Sequence, residues 1–162
     1  MYKIIDNFLK KDEFMAIDNI ISSDEFDWYY VSQLNHLQNK IDLTSYFIHL
    51  AFSEGKASRF MHIFSPIFYN LRIKALIRVK ANLYPRTHII EKHAPHSDYP
   101  FEHMGAIFYL NTNNGKTILE DGTEIDSIKN RLLMFDSSRP HSSTSATDAK
   151  ARINININYI PA

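Results

Sequence analysis

The chain has no cysteine. No disulfide framework can therefore hold it, and secretion is neither required nor excluded on that ground. It also lacks an excess of either charge: 18 Lys and Arg stand against 18 Asp and Glu. That balance argues against a nucleic-acid partner, which needs a basic footprint. The one local basic cluster, Arg72, Lys74, Arg78, Lys80 and Arg86, reads as solvated faces of a helix end and a strand. Long apolar runs are missing too. Residues Met1 to Asp6 lack the hydrophobic stretch of a signal peptide, and no segment approaches a membrane span. A cytoplasmic setting with no membrane partner is the expectation. There is no internal repeat and no low-complexity segment. What is present suits a soluble globular protein: 162 residues, 44% hydrophobic and 22% charged. That length fits one domain with a sizeable core, and an aromatic set dominated by Tyr and Phe suits a β-rich one.

Two halves differ in their hydrophobic period. In the first, residues 2–5 read as a short strand. Lys11 to Ser22 is a helix, with Phe14, Ile17, Ile20 and Ile21 on one stripe. Asp24 to Val31 is aromatic and strand-like, and Trp28 is a core residue. Asp42 to Phe52 and Lys56 to Leu71 are expected to be helical, the latter kinked at Pro66. From Ala75 the period shortens to that of strands. Leu76 to Tyr84 is a strand, and Thr87 to Asp98 a second, interrupted at Pro95. Ala106 to Asn111, Lys116 to Glu120, Arg131 to Asp136 and Ala151 to Ile160 follow. Asn113-Asn114-Gly115 and Asp121-Gly122 are turn signals, and Ser142 to Thr147 reads as a loop. Short strands separated by turns point to a sandwich or jelly roll.

The chemistry concentrates in His96-Ser97-Asp98, His141 and Arg152. Two imidazoles and one carboxylate are the ligand set of a non-haem iron(II) site, which leaves adjacent coordination positions open. His96 and Asp98 stand two apart, so a strand projects both from one face. His141, opening a turn after a later strand, is placed to supply the third ligand. Arg152 heads a last strand whose alternate positions, Arg152, Asn154, Asn156 and Asn158, form one polar face. We read that face as the lining of a pocket, in which the guanidinium grips a carboxylate in a bidentate pair. His88, His93 and His103 are read as surface or supporting histidines.

Taken together, these residues resemble the 2-oxoglutarate- and iron(II)-dependent dioxygenase superfamily, and most its prolyl-4-hydroxylase-like branch. The resemblance covers roughly residues 75–160. It is carried by Asn82-Leu83-Tyr84-Pro85, His96-Ser97-Asp98, Ile107-Phe108-Tyr109-Leu110-Asn111, Asn130 to Phe135, Pro140-His141 and Arg152. It implies an α+β, mainly β fold: a double-stranded β-helix (jelly-roll) core with N-terminal helices packed on one sheet. The chain would be a single domain over residues 1–162, with a helical buttress at 1–74 and the core at 75–162. It further implies iron(II) on His96, Asp98 and His141. The cosubstrate 2-oxoglutarate would be bound by Arg152, Tyr109, Tyr84, Asn82 and Asn154. Dioxygen would be the oxidant and ascorbate a supporting reductant. The implied reaction hydroxylates a C–H bond and releases succinate and carbon dioxide. Small enzymes of this pattern are carried by bacteria and tailed phages, which implies the cytoplasm, or the host cytoplasm for a phage protein.

One departure from the pattern stands out. Nucleobase-repair members carry a second arginine six positions after the first, and Asn158 occupies that place here. The substrate is expected to be peptidyl proline or a small metabolite, met by the loops Gln33 to Lys40 and Tyr99 to His103. Two other readings stay open: a non-catalytic jelly-roll binding or structural module, and a cupin-like metalloprotein that binds metal without 2-oxoglutarate. Oligomeric state is not legible.

Overall fold

The computed structural model describes residues 1–32 and 45–162. The loop expected at Gln33 to Lys40, and the first residues of the helix expected from Asp42, lie outside them.

Alternating polar and apolar residues build the centre of the molecule. Strand β5 (Ile73–Pro85) and strand β11 (Ala151–Pro161) pair antiparallel over almost their whole length. Strand β6 (Met104–Tyr109) joins β11 on its other side, and β9 (Arg131–Asp136) joins β6. β1 (Tyr2–Ile5) closes one edge against β9. On the far side β3 (Tyr46–Ser53) pairs with β5, β2 (Tyr29–Val31) pairs with β3, and β4 (Lys56–Ala57) adds a short hairpin arm. Among the described residues this gives an eight-stranded sheet.

A second sheet of three strands faces it, in the order β10 (His141–Ser143), β7 (Asn113–Leu119), β8 (Glu124–Ser127). The segment from Thr87 to Asp98 runs beside β10 and touches it through the bridges Lys92–Thr144 and His96–His141. Counting that segment, the chain from β5 onward crosses between the two sheets as a double-stranded β-helix. The large sheet carries β9, β6, β11 and β5 side by side; the small one carries the 87–98 segment, β10, β7 and β8.

The two faces of the large sheet differ as the period-two pattern requires. Val79, Ala81, Ala106, Phe108, Leu132, Ile155 and Ile157 point one way. Against them pack Phe14, Ile17 and Ile21 of α1 (Lys11–Ile21), Ile63 and Phe64 of a 3₁₀ turn (Met61–Phe64), and Ile67 of α2 (Ser65–Asn70). The N-terminal helices thus lie on one sheet. Trp28 packs against this core, its ring meeting Phe26 edge-on. The opposite face, toward the small sheet, holds Ile107, Tyr109, Leu133 and Phe135 at one end, packed against Ile125 of β8, and polar side chains at the other. No helix among the described residues is long and apolar enough to cross a membrane.

Several expectations need correction. The helix expected over Asp42 to Phe52 is strand β3 where it is described, because β3 fills the place beside β5 and pairs with it from Phe47 to Ser53, with the buried His49 and Ala51 two apart. Lys56 to Leu71 is not one helix: it breaks into β4, the 3₁₀ turn and α2, with Pro66 in the first turn of α2, where a missing N–H costs nothing. Thr87 to Asp98 is an irregular segment carrying single bridges rather than a strand. Asn113-Asn114-Gly115 lies inside β7, at a register shift against β8, and the hairpin turn comes later, at Asp121-Gly122. His141 opens the short strand β10 rather than a turn.

Candidate metal centre and anion cradle

His96, Asp98 and His141 come together where the 87–98 segment meets β10. Two backbone hydrogen bonds, His96 N to His141 O and His141 N to His96 O, both 2.9 Å, set the histidines opposite each other. Their rings lie 4.7 Å apart. One ligand atom from each of the three residues falls within 4.8 Å of the others. Asp98 Oδ1 is 3.9 Å from His96 Nε2, and Asp98 Oδ2 is 3.7 Å from His141 Nε2. Nitrogen and oxygen ligands about 2.1 Å from a shared ion sit about 3 Å apart on one octahedral face. Closure by less than about 1 Å per pair would reach that spacing from the two distances above.

The hydrogen bonds behind the triad leave the right atoms free. His141 Nδ1 faces Arg139 O at 3.0 Å and His96 Nδ1 faces Ala94 O at 3.5 Å. With the proton on Nδ1, each Nε2 presents its lone pair to the centre, the usual arrangement behind a metal-bound imidazole. Burial, reinforced by His141 nearby, lowers the His96 pKa and favours its neutral, ligating form.

Asp98 is more heavily supported than the sequence suggests. Its side chain is only 3% exposed. Arg78 Nη2 donates to Oδ1 at 2.5 Å. Ser137 Oγ at 2.5 Å, Asn158 Nδ2 at 2.9 Å and Asn156 Nδ2 at 3.3 Å all donate to Oδ2. Burial works against the charge. The Arg78 guanidinium, the Ser137 hydroxyl and the Asn158 amide outweigh it and hold the carboxyl well below the usual carboxylate range. Asn158, the position where a second arginine was absent, pairs in register with Arg78, whose Nε donates to Asn158 Oδ1 at 3.0 Å. A guanidinium thus reaches Asp98 from the neighbouring strand. Arg78 and Lys80 therefore do not form a solvated face: both turn inward, on the same side of β5 as Asn82 and Tyr84.

Arg152 lies deeper in the same cavity. It is 1% exposed. Its Nε donates to Ser127 Oγ at 3.0 Å and its Nη2 to Thr117 Oγ1 at 3.1 Å. The rings of Tyr84 and Tyr109 flank the guanidinium at 5.6 and 5.8 Å. Glu120 and Asp148 are engaged elsewhere, Glu120 with Arg139 and Asp148 with the Asn114 N–H. Among the described residues Arg152 has no carboxylate partner, so a buried cation stands uncompensated. That is costly in an interior unless an anion arrives.

The remaining expected residues gather around it. Asn82 and Asn154 are buried rung partners of β5 and β11, joined by Asn82 Nδ2 to Asn154 Oδ1 at 3.0 Å. Tyr84 stands opposite Arg152 and stacks on Tyr46 and His93. Burial, partly offset by Arg152, pushes the Tyr84 phenol up to about 12, so it stays protonated. Tyr109 gives its hydroxyl proton to Thr117 at 2.8 Å, placing it behind the guanidinium. His96, His141, Lys80, Asn82, Tyr84, Arg152 and Asn154 line one cavity. His88 lies on an exposed stretch. His93 and His103 are buried supports rather than surface groups: His93 Nδ1 meets Ser143 Oγ at 2.8 Å, and His103 Nδ1 meets Phe101 O at 2.8 Å.

Sequence reasoning missed Arg78, Lys80, Thr117, Ser127 and Ser137. The alternation Arg78, Lys80, Asn82, Tyr84 was a usable signal, because two of its members were already assigned to the pocket. Thr117, Ser127 and Ser137 carried none. Two glycines also make room. A Cβ on Gly115 would fall 2.6 Å from Arg152 Cδ, and one on Gly105 would fall 2.6 Å from Ser137 Cβ.

No family model matches the sequence, and no curated protein matches it. Solved structures do. A prolyl-4-hydroxylase from Pseudomonas putida is 16% identical, with a TM-score of 0.62 over 99% of this chain and 92% of that one. A Trichoplax adhaerens prolyl hydroxylase, solved with a hypoxia inducible factor peptide fragment, is 19% identical, with a TM-score of 0.64 over 98% and 83%. HygX from Streptomyces hygroscopicus, solved with nickel and 2-oxoglutarate bound, is 8% identical, with a TM-score of 0.65 over 99% and 83%. The chain has the fold of the 2-oxoglutarate and iron(II) oxygenases, in the form the prolyl hydroxylases share.

Proposed function

We propose that this protein is an iron(II)- and 2-oxoglutarate-dependent dioxygenase that hydroxylates a C–H bond. The observation that carries the reading is Arg152: a fully buried guanidinium with no carboxylate partner among the described residues, in one cavity with a His-Asp-His set. The donor set suits iron(II), and the uncompensated cation suits a dicarboxylate cosubstrate. In this reading His96, Asp98 and His141 hold the metal. Arg152 takes the far carboxylate of 2-oxoglutarate, while Tyr84, Asn82 and Asn154 enclose it and Tyr109 backs the guanidinium. Bound iron(II) with 2-oxoglutarate and dioxygen supplies the oxidative decarboxylation to succinate and carbon dioxide that drives hydroxylation; ascorbate is a supporting reductant.

The chain's own residues do the rest. Ser127 and Thr117 fix the guanidinium fork before ligand arrives, so little ordering remains to be done on binding. Arg78, Ser137 and Asn158 keep Asp98 ionised and oriented. The Nδ1 contacts of both histidines hold their rings in the ligating tautomer. Peptidyl proline and a small metabolite are the two substrate classes in view, and a cytoplasmic location fits either.

The test is visible absorption under anaerobic conditions. Iron(II) is added, then 2-oxoglutarate, to the wild type and to Arg152→Ala. A charge-transfer band that is lost or weakened in the variant supports the reading. A folded wild-type protein with no band refutes it.

A further inference from the structure

Four rungs of the β5–β11 pair lie on the cavity side of the sheet: Tyr84 with Arg152, Asn82 with Asn154, Lys80 with Asn156, and Arg78 with Asn158. The first and last have assigned work. Lys80 does not. It lines the cavity together with His96 and His141, and among the described residues it makes no ion pair. The nearest strongly held carboxylate, Asp98, is already taken by Arg78 at 2.5 Å. Beside Lys80 are two acceptors without donors: Asn156 Oδ1 and Asn82 Oδ1 are buried and unpartnered. Neither amide is turned the wrong way round, because each Nδ2 already donates, to Asp98 and to Asn154.

Charge accounting extends the argument, and it rests on the function proposed above. Asp98 and Arg78 cancel. Iron(II) and the 2-oxoglutarate dianion cancel each other as well. Arg152 and Lys80 remain, so the loaded site still carries surplus positive charge in a partly desolvated cavity, where an unmatched charge is costly. The cavity therefore favours further negative charge, and the orphaned amide oxygens ask for N–H or O–H donors next to it.

We propose that Lys80 anchors the substrate, and that the substrate is a small carboxylic acid bearing an adjacent amino or hydroxyl donor, an amino acid or hydroxy acid rather than a peptidyl residue. Its carboxylate pairs with the Lys80 ammonium, and its donor meets Asn156 Oδ1, across the rung from Lys80. Peptide-bond formation removes the free α-carboxylate, so an interior peptidyl residue lacks the recognised group.

The experiment titrates free L-amino acids and 2-hydroxy acids, each beside its primary amide, into the anaerobic protein loaded with iron(II) and 2-oxoglutarate. The 2-oxoglutarate band is followed, and heats of binding are recorded in parallel, on metal-free protein as well. Lys80→Met and the conservative Lys80→Arg are compared with wild type, with thermal melts as the check on folding. The expected result is that at least one free acid perturbs the band and its amide binds at least about 10-fold more weakly. Lys80→Met should lose the response while keeping the band and the affinity for 2-oxoglutarate, and Lys80→Arg should restore part of it. Three results would overturn the proposal. Amides match the acids, or no acid binds, or Lys80→Met loses 2-oxoglutarate itself, which would make Lys80 part of the cosubstrate site. A wild-type protein with no band at all would instead refute the function proposed above, and the heats on metal-free protein would still report on Lys80.

Discussion

Replacing Arg78 with methionine removes the cation that stands against Asp98 and leaves the carboxylate buried. The contact is short, 2.5 Å, and the side chains are 16% and 3% exposed. Breaking a buried ion pair from one side costs roughly 3–5 kcal/mol, because the stranded charge cannot recover its hydration. Some water reaches Arg78, and Asp98 keeps the Ser137 and Asn158 hydrogen bonds. We therefore expect a loss of about 2–3 kcal/mol in metal-free protein. In a domain of this size that lowers the melting temperature by roughly 4–12 °C. The pH dependence has a definite sign. The folded pKa of Asp98 lies below its ordinary value. Its contribution is therefore complete above the unfolded carboxylate value of about 3.9 and is lost as pH falls below it. In Arg78→Met, burial is no longer outweighed by the guanidinium, so the folded pKa rises toward or above the unfolded value. The acid loss then shrinks or reverses, and the gap between wild type and variant narrows as pH falls. Melts of metal-free wild type, Arg78→Met and Arg78→Met/Asp98→Asn from acid to neutral pH provide the assay. The double variant should recover most of the loss, since no charge is left to strand. A single variant within about 0.5 kcal/mol of wild type, the range of ordinary surface changes, would refute the reasoning. So would a double variant at least as unstable as the single.

Other perturbations separate metal, anion and cradle. His96→Ala, Asp98→Ala and His141→Ala should each weaken manganese(II) binding by more than about 100-fold in calorimetry, since losing even a supporting partner of a metal ligand costs 10- to 100-fold; unchanged affinity in any of them would remove that residue from the site. Arg152→Met should abolish measurable 2-oxoglutarate binding, at a cost of about 2–5 kcal/mol, yet leave metal-free stability equal or higher, because it deletes an uncompensated buried charge. A clear destabilisation would show that Arg152 is held for structure alone. Gly115→Ala forces a methyl group to within 2.6 Å of Arg152 Cδ and 2.9 Å of Ser145 O. It should weaken 2-oxoglutarate binding while leaving manganese(II) affinity near wild type, and equal effects on both ligands would contradict the placement of Gly115 beside the anion cradle.

The division between what the sequence announced and what it hid follows from how each residue is held. His96, Asp98, His141 and Arg152 were legible because metal and carboxylate recognition admit few residue types, and because each stood beside a strand whose period could be counted. Strands β5, β6, β9 and β11 were legible for the same reason: one face of each packs on the helices and must be apolar. The errors cluster where tertiary partners decide. Tyr46 to Ser53 carries enough apolar residues for either a helix or a strand, and only pairing with β5 chooses between them. The 87–98 segment has strand-like residues but meets its neighbour at single bridges, since Pro95 cannot donate and the chain must turn to present His96 and Asp98.

Arg78 and Lys80 were misread because a basic run on a long strand usually faces water. β5 is unusual in that its polar face looks into a cavity rather than out of the protein. The fact that decides the face is Asn82-x-Tyr84 two and four positions later: once those two point inward, a period of two carries Lys80 and Arg78 inward with them. The inward turn also accounts for the asparagine at the far end of β11. An arginine at position 158 would meet Arg78 across the rung and bring two guanidiniums onto one carboxylate. An asparagine there accepts from Arg78 and donates to Asp98 with the same amide. The asparagine at position 158 and the arginine at position 78 are thus one feature.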